Sequence, residues 1–274
     1  MTRSSEPGTG RDRVAAAMAA AGAENRAALV AYLTFGDPTP EATVDIILAA
    51  HRAGADIIEL GVPFSDPSAD GPVIQRAMER ALARGADLDG ALACTKRVRE
   101  AGCDVPIVLF GYYNPIFVRG PERFARDAAA AGIDAVLTVD LPVDELGELA
   151  DFVAGEGIGV VPLVAPTTSV DRARAAAPLL PPFAYYISMT GITGAGFAGL
   201  AGGETRVAAI RDATSAPVAV GFGIKTAADA ARVAAYADGV VVGSAIVAAI
   251  EDNEHAPARA VADLVATLTP ALSR

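Results

Sequence analysis

Short apolar runs rich in Val and Ile alternate along the chain with longer segments bearing Ala, Leu and Arg. The apolar runs predict strands at 28–34, 56–61, 106–111, 135–139, 158–163, 183–188, 217–221 and 239–243. Their near-continuous hydrophobicity fits parallel strands covered on both faces, which require crossover connections. Those crossovers are predicted as helices near 40–52, 72–83, 88–100, 121–131, 144–154, 170–176, 203–213, 226–235 and 257–268. In the first of them Val44, Ile47 and Leu48 make one core-facing stripe at helical spacing. Gly85 interrupts the segment 72–100, which adds one helix between the second and third strands.

Several junctions repeat nearly the same phrase: AGAD at 53–56, AGCD at 101–104, AGID at 131–134 and YADG at 236–239. The glycine suits a helix C-terminus and the polar turn feeds the next strand. Eight such units predict an α/β fold of the (β/α)8 TIM-barrel kind, although an open doubly wound sheet uses the same alternation. No Pro/Gly-rich linker divides the chain, so a single domain is expected over 1–274, its first 15 or so residues loosely ordered or forming an initial helix.

Composition narrows the partners. Apolar residues make up 52% of the 274-residue chain and charged residues 20%, a balance that favours a packed core over disorder. The net charge of −11 comes without any basic cluster, which argues against nucleic acid as a partner. Small anions remain open, because backbone N–H groups bind them locally. The only cysteines, Cys94 and Cys103, read as reduced packing residues. No apolar run is long enough for a membrane span and the first residues lack a secretory core, so a cytoplasmic location is expected.

In parallel α/β architectures the ligand site lies beyond the carboxyl ends of the strands. Glu59, closing the apolar run IIELG, therefore attracts attention: a carboxyl against an apolar wall holds its proton more tightly and suits proton transfer near neutral pH. Asp70, in the following SADGP loop, serves equally well as a turn former or as the second member of an acid pair. Asp66 reads as a turn residue, and Asp140 and Asn114 sit near other strand ends. Tyr112 and Tyr185 could wall the cavity or simply pack.

The absent chemistry is equally informative. His51 and His255 have no metal-ligand spacing with a cysteine, which argues against a histidine-based zinc site. Residue type alone leaves open an oxygen-rich Mg2+ site at Glu59 and neighbouring aspartates, but proton exchange is the simpler use. Neither lysine, Lys96 or Lys225, falls in a predicted strand, and Lys225 is placed at the start of the helix after the seventh one. Carbon–carbon cleavage here would have to run without a Schiff base.

Glycines cluster in SMTGITGAGFAGL at 188–200, GFGIKT at 221–226 and VVGSA at 241–245. Turns after the last two strands commonly bind phosphate, so Gly223 and Ser244 are expected at an anion, with Gly194 closing from the preceding loop. Gly194, Gly196 and Gly199 also spell GxGxxG, but the next strand ends in VAVGFG without the acid that would hold a ribose.

Taken in order, LTFGDPTPE at 33–41, IIELGVPFSDPSADGPVIQ at 57–75, GYYNPIF at 111–117, VDLP at 139–142, TGITG at 190–194, GFGI at 221–224 and GSA at 243–245 resemble the tryptophan synthase alpha chain family from about residue 27 to 250. The resemblance implies a TIM-barrel lyase that cleaves indole-3-glycerol phosphate to indole and glyceraldehyde 3-phosphate, with no cofactor of its own. It implies catalytic roles for Glu59 and Asp70, indole-side contacts for Tyr32, Tyr112 and Tyr185, and a lid threonine at Thr193 that approaches the aspartate. Phosphate contacts carry over to Gly194, Phe222, Gly223, Gly243 and Ser244. Met189 stands where some relatives carry arginine. The partner so implied is a beta chain containing pyridoxal phosphate, in an alpha2–beta2 heterotetramer, touched by the loop of Asp66 and Pro67. Competing readings are another phosphosugar-type activity such as isomerisation, and a catalytically silent regulatory subunit.

Overall fold

The structure is a computed structural model that describes residues 8–187, 202–221 and 223–274. Thr193, Gly194, Met189, Phe222 and the GxGxxG glycines lie outside the described residues.

Among the described residues nine parallel strands form one sheet: β1 (Ala28–Thr34), β2 (Ile57–Gly61), β3 (Ile107–Gly111), β4 (Ala135–Thr138), β5 (Gly159–Val160), β6 (Leu163–Val164), β7 (Ala184–Ile187), β8 (Val218–Gly221) and β9 (Gly239–Val242). Their order is β5-β4-β3-β2-β1-β9-β8-β7-β6. The two outermost strands are thus separated by only Val161 and Pro162, a link that spans roughly 10 Å at most. The sheet must curl until its ends meet.

The expected count of eight differs from the observed nine because the predicted strand 158–163 is divided at Pro162. Proline has no N–H to give to a ladder. On one side of the break the Val161 N–H donates to the Val136 carbonyl at 2.9 Å; on the other the Pro162 carbonyl accepts from the Tyr185 N–H at 2.9 Å. One short segment therefore serves both neighbours in turn.

Twelve helices are described: α1 (Gly10–Ala23), α2 (Pro40–Arg52), α3 (Pro72–Ala83), α4 (Leu88–Glu100), α5 (Tyr113–Arg119), α6 (Pro121–Ala131), α7 (Gly147–Gly155), α8 (Val170–Arg174), α9 (Gly203–Thr214), α10 (Ala227–Ala234), α11 (Ser244–Glu251) and α12 (Pro257–Leu268). The initial segment takes the helical alternative, started by Thr9, whose hydroxyl accepts the Asp12 N–H at 3.3 Å. The short α5 and α11 were not expected, and the helix after β8 begins two residues beyond Lys225.

Strand alternation divides the apolar side chains into two cores. An outer core between sheet and helices includes Leu29, Ile58, Phe124 and Val240. An inner core, enclosed by the curled sheet, includes Val30, Tyr32, Ile57, Val108, Phe110, Leu137, Phe183 and Val241. Val14, Met18 and Ala21 of α1 join the inner core and close the end at which the strands begin. Only the opposite end is left for a ligand.

The repeated phrase has a structural purpose. Asp56, Asp134 and Asp238 accept the backbone N–H of Leu29, Ile107 and Val218 on the neighbouring strand, at 2.7, 2.7 and 2.9 Å. Each is also paired with an arginine: Arg26, Arg99 and Arg211 at 2.6, 2.7 and 2.9 Å. The device holds adjacent strand starts in register and satisfies an N–H just before its ladder begins. Asp104 of the remaining phrase is exposed.

Candidate functional site

Strand β2 runs outward from the closed end, with Ile57 in the inner core and Glu59 two residues on. In register, Glu59 lies between Tyr32 of β1 and Val108 of β3. Period-two alternation thus turns the acid inward, as the sequence pattern suggested. It is 1% exposed, and neither carboxyl oxygen has a hydrogen-bond partner among the described residues. Burial without a compensating donor disfavours the anion, pushing its pKa up to about 8. At neutral pH Glu59 therefore carries a proton that it can give away.

Asp70 reaches the same region from the loop between β2 and α3. The Tyr112 hydroxyl donates to its Oδ2 at 2.7 Å and accepts the Ala69 N–H at 3.0 Å, so one phenol fixes both the carboxylate and its loop. The ring of Tyr112 is itself held by stacking on Phe64, with centroids 4.8 Å apart. Burial raises the Asp70 carboxyl, and the hydrogen bond from Tyr112 opposes that rise. The Tyr112 phenol is driven upward by burial and then by the adjoining carboxylate.

Tyr32 and Tyr185 relate the two acids to each other. Burial is the main cause that raises either phenol; next, Asp70 acts ahead of Glu59 on Tyr32, and Glu59 ahead of Asp70 on Tyr185. Both carboxyls thus act on both hydroxyls, which places four titratable groups around one volume. Tyr32 also accepts a hydrogen bond from Thr34 at 3.3 Å and packs edge-on against Phe110.

Two glycines make room for those hydroxyls. A Cβ on Gly61 would lie 2.4 Å from the Tyr32 hydroxyl, and one on Gly221 would lie 2.2 Å from that of Tyr185. Neither signal stands out in the sequence, where Gly61 simply follows IIEL and Gly221 belongs to the glycine-rich turn 221–226. Gly61→Ala is expected to cost about 1–3 kcal/mol by overpacking. Urea unfolding checks this: the same substitution should cost clearly less in a Tyr32→Leu background than in the parent, because the three atoms nearest the new methyl all belong to the Tyr32 side chain.

Beyond the adjacent strands β8 and β9 lie the predicted anion turns. Gly223 has φ +72°, a conformation that disfavours side chains, and is exposed. The N-terminus of α10 carries a capping box: Thr226 accepts the Asp229 N–H, and Asp229 accepts those of Lys225 and Thr226. By contrast α11 starts at Ser244 behind Gly243 with no side-chain cap. Its first N–H groups, with no side chain to accept them, suit an anion.

The other candidates disperse. Asp140 uses its Oδ1 to accept the Tyr113 N–H at 2.7 Å, starting α5, and Asp66 is exposed with Ser65 donating to it. Asn114, Lys96, Lys225 and His255 are also exposed, and His51 sits at 3.2 Å from the Ala55 carbonyl. Cys94 and Cys103 are free thiols, and burial pushes the former up to about 12. Among the described residues no group of three or more His, Cys, Asp and Glu is placed to hold a metal ion, and no helix is long and apolar enough to cross a membrane.

A family profile described as tryptophan synthase alpha chain matches residues 18–272. The tryptophan synthase alpha chain of Geobacter sulfurreducens is 50% identical over 261 residues, covering 95% of this chain and 98% of the relative. That of Thioalkalivibrio sulfidiphilus is 45% identical over 263 residues, covering 95% and 99%. Among solved structures, tryptophan synthase subunit alpha from Legionella pneumophila superposes with a TM-score of 0.87 at 36% identity, covering 95% of this chain and 98% of that one. A tryptophan synthase chain from M. tuberculosis gives 0.84 at 34% identity, covering 95% and 98%.

Proposed function

The chain belongs to the tryptophan synthase alpha chain family, and from that premise we propose that Glu59 and Asp70 together perform its carbon–carbon bond cleavage. The reaction is the alpha reaction, in which indole-3-glycerol phosphate yields indole and D-glyceraldehyde 3-phosphate. The observation that carries the assignment is the buried Glu59, whose carboxyl has no hydrogen-bond partner among the described residues and which, like Asp70, acts electrostatically on both Tyr32 and Tyr185.

The steps balance with those two groups. Glu59 gives its proton to ring carbon 3 while Asp70 takes the proton from the ring nitrogen, leaving a C=N bond and a tetrahedral carbon 3. The Glu59 carboxylate then removes the proton of the side-chain hydroxyl. Its oxygen forms the aldehyde, the carbon–carbon bond breaks toward carbon 3, and the C=N electrons return to the nitrogen, which recovers its proton from Asp70. The net change moves the hydroxyl proton to carbon 3 and returns both acids to their starting forms. Tyr32, Tyr112 and Tyr185 are read as the walls of the ring site, and Thr193, by family resemblance alone, as the lid residue that approaches Asp70.

The phosphate is read at Gly223, Gly243 and Ser244, supported by the uncapped start of α11, and at Gly194 and Phe222 by family resemblance. No step requires a metal or an organic cofactor in this chain. Strands β5 and β6 are read as one interrupted strand of an eight-unit barrel. A single sheet drawing on residues 28 to 242 supports treating the chain as one domain. The partner is a tryptophan synthase beta chain, taken to hold pyridoxal phosphate in an alpha2–beta2 assembly. Phe117 and Val118 of α5, 62% and 77% exposed, sit at the same end of the sheet as Asp66 and Pro67 and suit such a contact. A cytoplasmic location accords with a phosphorylated intermediate as substrate.

Incubating the purified chain with indole-3-glycerol phosphate should release indole, and Asp70→Asn should lower the rate by about 10^2-fold or more. Isomerised substrate without indole would favour a different phosphosugar activity. Beta-chain binding with no basal turnover would mark a silent subunit.

A further inference from the structure

The loop that carries Asp70 has little to hold it. Ser65, Asp66, Ser68 and Ala69 are exposed, and Pro67 and Asp70 are only partly covered, so hydrophobic burial contributes little to its position. Polar contacts must do so instead. From outside the loop the Tyr112 hydroxyl supplies the two already described. From the first turn of α3 the Gln75 side chain supplies two more: its amide nitrogen donates to the Asp70 carbonyl at 2.9 Å and to the Pro67 carbonyl at 3.3 Å. The Pro67 carbonyl also accepts the Asp70 N–H at 3.1 Å, which closes the turn on itself.

Helix geometry explains why Gln75 can do this. The Gln75 N–H bonds to the Gly71 carbonyl, so the residue stands one turn into the helix that begins with Pro72. Side chains on a helix lean toward its N-terminus, which here is the loop. Gly71 offers no side-chain cap, and the Gln75 amide instead returns to the loop from within α3. A carbonyl pair held by one planar amide fixes the backbone of Asp70, while Tyr112 fixes its carboxylate.

We propose that Gln75 is a positioning residue for Asp70: its side-chain amide clamps the Pro67–Asp70 turn so that the carboxylate meets the ring nitrogen. The inference rests on the catalytic assignment of Asp70 given above. Gln75 does not touch substrate in this scheme; it acts through the turn, and a small misplacement of a reacting group costs rate rather than affinity.

Gln75→Met keeps the length and removes both donors. In steady-state indole release, kcat should fall about tenfold with KM changed less than about twofold, because the phosphate grip lies on other strands. The thermal midpoint should stay within about 2 °C, since no core contact is lost. The decisive readout is coupling: in a Tyr112→Phe background the same substitution should cost clearly less than in the parent, as two clamps on one carboxylate act as a unit. Equal factors in both backgrounds, a fall in thermal midpoint that accounts for the lost activity, or unchanged kcat would each overturn the clamp. Asp70→Asn, run alongside, separates the two levels. If it leaves turnover intact, the assignment of Asp70 fails; if it abolishes turnover while Gln75→Met is silent, only the clamp fails.

Discussion

Glu59→Gln is expected to lower indole release by about 10^2–10^4-fold, the usual worth of a positioned acid–base group, while leaving the fold intact. Glutamine matches the volume of glutamic acid and sits in the same inner-core position, so packing is retained. What disappears is the transferable proton. The substitution should also change how stability depends on pH. An unfolded glutamate ionises near 4.5, whereas burial holds Glu59 protonated up to about 8 in the folded chain. Between these values the unfolded state loses a proton that the folded state retains, so the native protein loses stability as pH rises through the window. Below it the two states are protonated alike and the penalty vanishes. Urea unfolding at the two ends should therefore show the variant gaining on the parent by an amount on the order of 4 kcal/mol as pH increases. A constant difference between the two proteins would show that Glu59 ionises normally.

The second large effect is on stability alone. Asp134→Ala is expected to cost about 3 kcal/mol or more, since breaking a buried ion pair leaves groups without partners. Asp134 is fully buried; it accepts the Ile107 N–H and pairs with Arg99 and Arg13 at 2.7 and 2.5 Å. Arg99 keeps other acceptors, the carbonyls of Gly132, Cys103 and Val105, which holds the cost toward the lower end of that range. The urea midpoint should drop while kcat, measured where the variant is still folded, stays near the parent value, because the strand starts lie at the end of the sheet opposite the site. A drop below about 1 kcal/mol would place Asp134 among ordinary surface pairs.

These two acids differ in how well sequence reveals them. Glu59 is conspicuous because a charge ends an apolar run, and alternation from Ile57 gives its direction. Asp134 hides inside AGID, where the repeated phrase reads as a turn; its bond to Ile107 of the neighbouring strand is long-range and has no local signature. The same distinction runs through the fold. The strand at 28–34 is recovered with its limits unchanged, as seven consecutive buried residues leave no ambiguity. Residues 158–163 read as one strand because a single Pro162 is a weak mark against such a run, yet it divides the pairing. The helix α11 was missed because SAIVAAI continues the apolar run of β9, so no helical period stands out. The helix α5 spans seven residues, too few to show one.

At the site, residue identity gives Asp70 two equal uses, and the contact from Tyr112 that supports the acid-pair proposal is tertiary, with no trace in the loop's own sequence. Gly61 and Gly221 could not be recognised from their own neighbourhoods, since the hydroxyls they admit belong to side chains on adjacent strands. Asp140, which the sequence places only near a strand end, binds the Tyr113 backbone N–H, a partner on the neighbouring strand's loop that has no local signature.

The central claim is that an interior carboxylic acid, neutral in the resting enzyme, supplies the proton for cleavage. Infrared difference spectra of the parent against Glu59→Gln, recorded from about pH 5 to about pH 10 and set beside kcat/KM for indole release, test it most directly. The protonated C=O band assigned to Glu59 and the alkaline limb of kcat/KM should vanish together near pH 8. A carboxylate band already complete at pH 6, or a rate that stays flat through the loss of the C=O band, would contradict it.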